Sequence, residues 1–333
     1  MRSPQIIPRL TFQSITRLTS VAVAFLVPLS GCAEVQRRNT PYTQQRLPSD
    51  LAAYYAYPRQ RPTVTVQRLR EDRYIRESLV QFPMTVTDFQ PTEPLVEFEW
   101  FESKLLGRRA AILLNPILGG DYPLERGICR HLARHGFHVA LVHRKTLKIS
   151  PEHPVSHLEL LLRQGIFRIR QIVDWMEVQE CVDPQRMGSF GISMGGMASV
   201  MTAAIDPRLR VHVVALAGGS IPEVLVTSKD QLLTKPRARY LARNHIDLKT
   251  LEARLRDEVK TDPIRLAPYV DPHALLMFVA LEDRTIGRAN ALHLWRALGQ
   301  PHVVFMPFGH YTAYFALPYM KYASLRFFQQ TLR

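Results

Sequence analysis

Ser193 stands at the centre of Gly191-Ile192-Ser193-Met194-Gly195, between the apolar segment 187–190 and a run of small residues beginning at Gly196. A serine framed by two glycines where a strand passes into a helix is the pattern of a tight turn that holds the serine in a strained conformation with its hydroxyl exposed. Side chains at positions 191 and 195 would collide with the neighbouring strand and helix. The same turn aims the Met194 amide at the carbonyl oxygen of a bound ester, so the pentapeptide offers a nucleophile and half of an oxyanion hole. A serine hydroxyl attacks only when a base takes its proton and an acid orients that base. On a sheet whose catalytic groups sit at strand ends, the acid and then the histidine follow later in the chain. Asp283 lies in Glu282-Asp283-Arg284-Thr285-Ile286 after the apolar run 275–281, with Glu282 as the alternative acid. His310 comes 27 residues later in Pro307-Phe308-Gly309-His310-Tyr311, after the run 302–306. That interval holds one helix and one strand. His293 and His302 fall within a helical and a strand pattern and read as structural. The loop Ala217-Gly218-Gly219-Ser220 contains no carboxylate and is excluded as the source of the acid. The second oxyanion donor is expected from Asn115-Pro116-Ile117-Leu118-Gly119-Gly120-Asp121, at the amide of Leu118 or, one residue away, of Ile117.

The elements that must position these groups follow from hydrophobic period. Strands are expected at 79–86, 95–100, 110–114, 138–142, 187–190, 211–216, 275–281 and 302–306, and helices at 124–135, 157–179, 196–205, 288–298 and 311–330. Two early strands followed by strand-helix alternation imply an α/β protein with a mostly parallel sheet covered by helices on both faces. Residues 221–272 interrupt the alternation with a helical pattern dense in basic residues, including Lys235, Arg237, Arg239 and Arg243. This lid-like insertion either shapes an acyl or anionic-substrate pocket or is a solvated face. Lys145 and Lys148 present the same choice between a substrate carboxylate and water.

The stretch from Asp183-Pro184-Gln185-Arg186 through the pentapeptide to Asp206-Pro207-Arg208 resembles the nucleophile region of the α/β hydrolases, in the branch of dienelactone hydrolases and acetyl xylan esterases. The resemblance runs from about Leu95 to the C-terminus. It implies the α/β-hydrolase fold and ester hydrolysis through an acyl-enzyme on Ser193, without metal or organic cofactor. The His-Gly pair usual before the oxyanion turn is replaced by Asn115-Pro116, which leaves the donor and the subfamily open. Acyl transfer to a sugar or lipid hydroxyl is an alternative on the same triad, and a noncatalytic envelope module is another.

The N-terminus points to location. Arg2, Arg9 and Arg17 precede an apolar run over 21–27 that is short for a membrane span, followed by Leu29-Ser30-Gly31-Cys32; this is an export signal. Its end resembles a bacterial lipobox, which implies a signal peptide at 1–31 and lipidation of Cys32, and Ala33 after it favours the outer membrane facing the periplasm. Residues 32–63, rich in Gln, Arg, Pro and Tyr, read as a flexible tether to a hydrolase domain over 64–333. The remaining cysteines, Cys129 and Cys181, are assigned to opposite ends of the fold and expected as buried free thiols. A net charge of +14 favours anionic surfaces. With export, an anionic membrane fits the charge better than nucleic acid, simple solubility being the alternative, and the substrate is expected to be a small-molecule or lipid ester.

Overall fold

A computed structural model describes residues 32–35, 44–86, 88–119, 121–144 and 150–333. The expected signal segment, Gly120, Lys145 and Lys148 lie outside the described residues.

The strands are β1 (Ala33–Val35), β2 (Thr65–Glu71), β3 (Ile75–Pro83), β4 (Leu95–Ser103), β5 (Arg109–Asn115), β6 (His138–Val142), β7 (Val182–Ile192), β8 (Leu209–Ala215), β9 (Leu275–Ala280) and β10 (His302–Met306). They form a single sheet in the order β1-β10-β9-β8-β7-β5-β6-β4-β3-β2. From β6 to β10 every pairing is parallel, while β4, β3, β2 and β1 join antiparallel at the two edges. The central strands are unbroken apolar runs because both faces are covered: every residue of β6 and β9 is buried. The outer strand β2 carries Arg68 and Arg70 and is exposed along its whole length, a charged edge that resists pairing with another chain.

The described α-helices are α1 (Ser49–Tyr54), α2 (Pro123–Arg134), α3 (Ser156–Glu177), α4 (Met194–Ile205), α5 (Ile221–Thr227), α6 (Gln231–Asn244), α7 (Leu248–Glu258), α8 (Pro263–Leu266), α9 (Arg288–Ala297) and α10 (Leu317–Thr331), with short 3-10 turns at Ala267–Tyr269, Pro272–Ala274 and Thr312–Ala316. Apolar residues of α2 and α10 pack in a core on one face of the sheet, and those of α3, α4, α9 and the insertion in a larger core on the other. Strand order runs outward from β5 to β6 on one side and from β7 to β10 on the other. The loops after β5 and β7 therefore diverge at a topological switch point, where open α/β sheets leave a crevice.

Three expectations need correction. Four antiparallel-joined strands rather than two precede β5, since three-residue β1 is too short and polar-rich β2 lacks the apolar alternation that marks a strand. Most described residues of the segment expected as a tether are exposed, but several points of it are anchored. Ala33–Val35 pairs with β10, Tyr55 is fully buried with its hydroxyl 3.0 Å from Thr261 Oγ1, and the Tyr57 hydroxyl donates to Asp174 at 2.6 Å. Tyrosine supplies apolar area and a hydrogen bond together, which overrides the polar composition around it. Finally, Cys129 is buried but Cys181 only partly so, and both are free.

Candidate active site

Ser193 follows β7 directly and precedes α4, with φ 56° and ψ −119°. This left-handed backbone is costly for a residue with a side chain. It is held by close backbone contact rather than by side chains. A Cβ on Gly191 would lie 2.1 Å from the carbonyl oxygen of Gly195, and one on Gly195 would lie 2.1 Å from that of Asn115. The second contact also joins the two loops of the switch point, so the turn after β7 rests on the turn after β5. The Ser193 amide donates to Ala215 O at 2.8 Å, tying the turn to β8 as well.

Ser193 Oγ lies 3.0 Å from His310 Nε2, and His310 Nδ1 lies 2.7 Å from Asp283 Oδ2. Strands β9 and β10 bring these partners together by staying hydrogen-bonded past their ends: Leu281 N donates to Met306 O and Glu282 N to Phe308 O, each at 2.9 Å. Asp283, 6% exposed, uses its other oxygen to accept from the amides of Thr285 and Ile286, both at 2.8 Å. Those bonds fix the carboxylate so that Oδ2 faces the imidazole, which selects the tautomer with Nε2 free to accept a proton. Glu282, the alternative acid, makes no hydrogen bond to His310. His302 lies in β10 and pairs with Glu34 at 2.8 Å, and His293 sits on α9, both away from the triad.

The amide of Ile117 is engaged, donating to Glu125 Oε1 at 3.0 Å from a carboxylate with no exposed surface. The amides of Met194 and Leu118 meet no acceptor among the described residues, which leaves both available to an oxyanion. Glu125 was not among the residues singled out from the sequence; a lone acid in a helix carries no signal that it turns inward to hold a loop.

Two cavities lie beside α3, the first of which reaches this region at Met194. One, of about 690 Å³ including space open to solvent, is lined by Met194, Asn115, Pro116, Arg144, Arg168 and Leu161, among others. The other, of about 530 Å³, is largely apolar and lies between α3 and the insertion, with Leu158, Leu225, Leu233, Leu251 and Leu255 in its wall and Leu161 shared with the first. The insertion also reaches the triad loops. Asp230 accepts from Thr285 Oγ1 at 3.0 Å and from the Tyr311 hydroxyl, next to Asp283 and His310 respectively. Tyr311, Tyr314 and Phe315 form an exposed aromatic rim beside His310. Among the described residues no group of three or more His, Cys, Asp or Glu side chains is placed to hold a metal ion, and no helix is long and apolar enough to cross a membrane.

No family model matches the chain. Over 76 residues it is 38% identical to an uncharacterized 31.7 kDa protein of the traX-finO intergenic region of Escherichia coli, a match to 22% of this chain and 25% of that protein. The chain thus spans about a quarter of the length of the curated relatives it matches. Solved structures align over most of it. Acetyl xylan esterase 1 from a Thermoanaerobacterium species superposes with a TM-score of 0.62 at 16% identity, covering 84% of this chain and 96% of that one. An acetyl xylan esterase from a Paenibacillus species gives 0.64 at 15% identity, covering 87% and 96%. A cold-adapted esterase from an Arctic intertidal metagenomic library gives 0.53 at 17%, covering 80% and 98%. The chain has the α/β-hydrolase fold.

Proposed function

We propose that this protein is a serine hydrolase that cleaves a carboxylic ester. The observation that carries the reading is the continuous hydrogen-bonded chain from Ser193 through His310 to Asp283 at the switch point of an α/β-hydrolase sheet. His310 Nε2 takes the proton as Ser193 Oγ attacks the ester carbonyl, and Asp283 steadies the imidazolium that forms. The amides of Met194 and Leu118 receive the negative charge of the tetrahedral intermediate; each such donor contributes on the order of 3 kcal/mol. His310 then gives its proton to the departing alcohol, leaving an acyl group on Ser193. Water activated by the same histidine releases the acid. A sugar or lipid hydroxyl in place of water would make the reaction an acyl transfer. Fold neighbours named as esterases support the hydrolytic form.

The same reading locates the enzyme in the bacterial envelope, anchored through lipid on Cys32 and facing the periplasm from the outer membrane. Because Ala33–Val35 pairs with β10, that anchor would hold the sheet edge close to the bilayer. The insertion, bonded to both triad loops and walling the apolar cavity, would act as the cover that sets acyl length.

Labelling with a fluorophosphonate probe and turnover of p-nitrophenyl esters of increasing chain length test the activity. The wild type should label and hydrolyse, and Ser193→Ala and His310→Ala should each lose at least about 10³-fold in kcat. A wild type that neither labels nor turns over any ester would leave the noncatalytic reading standing. For the anchor, Cys32→Ser should abolish incorporation of labelled fatty acid in cells; persistent incorporation refutes the lipidation site.

A further inference from the structure

The mechanism leaves a cation at the turn after β5 unused. Arg144 follows β6 and lines the cavity that reaches Met194 and Asn115. Its Nη2 donates to the carbonyl oxygens of Pro116 and Ile117 at 2.8 and 2.7 Å, while its Nε is closed off from solvent without a partner. No carboxylate pairs with it, and every Asp and Glu of the chain lies among the described residues. The contrast with its neighbours is sharp. Arg168, across the same cavity, pairs with Glu93 at 2.6 Å, and Arg126 and Arg130 pair with Glu99 and Glu77 at 2.6 and 2.7 Å.

Cations taken out of water are ordinarily paired, because the lost hydration costs several kcal/mol per ion. Desolvation, with Arg168 nearby, lowers Arg144 to about 10, so it remains charged at neutral pH. A charged guanidinium with two carbonyl acceptors and an unpaired N–H, in a cavity walled by Met194 next to Ser193 and by Glu93 already paired with Arg168, can receive an anion.

We propose that the substrate carries an anionic group, carboxylate or phosphate, and that Arg144 receives it in this cavity while the ester carbonyl lies against Ser193. The proposal rests on the hydrolase reading and adds the substrate class to it. A purely structural Arg144, clamping the oxyanion loop through Pro116 and Ile117, would affect charged and neutral esters alike, and the test separates the two roles.

Two matched pairs are assayed with the full-length protein: monoethyl adipate against ethyl hexanoate, and a 1-acylglycerol 3-phosphate against the matching monoacylglycerol. In the wild type the charged member of one pair is preferred. In Arg144→Gln the charged-to-neutral ratio of kcat/KM falls about tenfold or more, mainly through KM, and Arg144→Lys recovers part of it. The pair that moves identifies carboxylate or phosphate. Ratios that stay within about twofold in both pairs overturn the proposal. Calorimetric titration of Ser193→Ala with adipate and with inorganic phosphate gives a readout independent of turnover and of folding in the Arg144 variants. Binding of either anion that is lost on adding Arg144→Gln supports the site even if no ester is hydrolysed, in which case the activity reading alone fails. Absence of anion binding to Ser193→Ala removes the site whatever the activity.

Discussion

The turn around Ser193 and the insertion over 221–272 meet at the triad loops, yet they are stabilised in opposite ways. In the turn, backbone packs on backbone: missing side chains at Gly191 and Gly195 leave room for nothing larger than hydrogen. In the insertion, side chains hold backbone. Ser220, Asp230 and Asp247 cap α5, α6 and α7, and Arg237 ties α6 to the end of α5 by donating to the carbonyls of Leu225, Val226 and Ser228 at 2.9, 2.7 and 3.3 Å. Close-packed backbone tolerates almost no displacement, which suits the nucleophile role proposed for Ser193. A region held by a few polar side chains over an apolar cavity tolerates change more readily, which suits a surface that sets substrate range.

Substitutions can break or sharpen that contrast. The largest effect is expected from Gly195→Ala, whose new methyl must displace the Asn115 carbonyl; turnover should fall by more than about 10³-fold or the protein should fail to fold, as read by ester hydrolysis and circular dichroism. Next comes Asp283→Asn, which can retain its bonds to Thr285 and Ile286 but misorients the imidazole. A fall in kcat of about 10² to 10⁴-fold is expected with little change in melting temperature. Arg237→Ala removes the donor to three carbonyls in the insertion. It should destabilise by about 1 to 3 kcal/mol and alter chain-length preference, whereas Arg239→Ala, on an exposed position of the same helix, should stay within about 0.5 kcal/mol in denaturant titration. If the two behave alike, the insertion is not held as argued.

The smallest effect concerns pH. Asp262, within the insertion, is buried and accepts from Ile221 N at 3.0 Å, and burial raises its pKa from 3.8 to about 7. Between those values the unfolded chain has released this proton and the folded protein keeps it, so stability from Asp262 is present below about pH 4 and lost as pH rises to about 7. Asp262→Asn keeps an acceptor and removes the titration. Melting temperatures across this range should fall less steeply with pH in the variant, by a few degrees in total; an unchanged slope contradicts the assignment.

Ser193, Asp283 and His310 are legible in the sequence because each follows an apolar run whose strand character is strong, and because chain order at strand ends is set by topology. The strands at 138–142 and 302–306 are found at those bounds, and the helix expected at 124–135 spans Pro123–Arg134. Where polar residues do structural work the pattern misleads. Tyr54, Tyr55 and Tyr57 anchor a segment whose composition reads as a tether, and β2 pairs through its backbone while presenting charges to water.

Local residue chemistry and its order along the chain determined the α/β architecture and the placing of Ser193, Asp283 and His310 at strand ends, since strand period and glycine spacing are properties of short segments. Distances across the fold decided the rest. That Glu125 occupies the Ile117 amide, that Arg237 holds the insertion while Lys235, Arg239 and Arg243 face solvent, and that Arg168 takes Glu93 as an ion-pair partner while Arg144 in the same cavity forms no ion pair all depend on which distant side chains meet. Pairing and desolvation are sums over neighbours brought together only by the folded sheet, and no short stretch of sequence contains them.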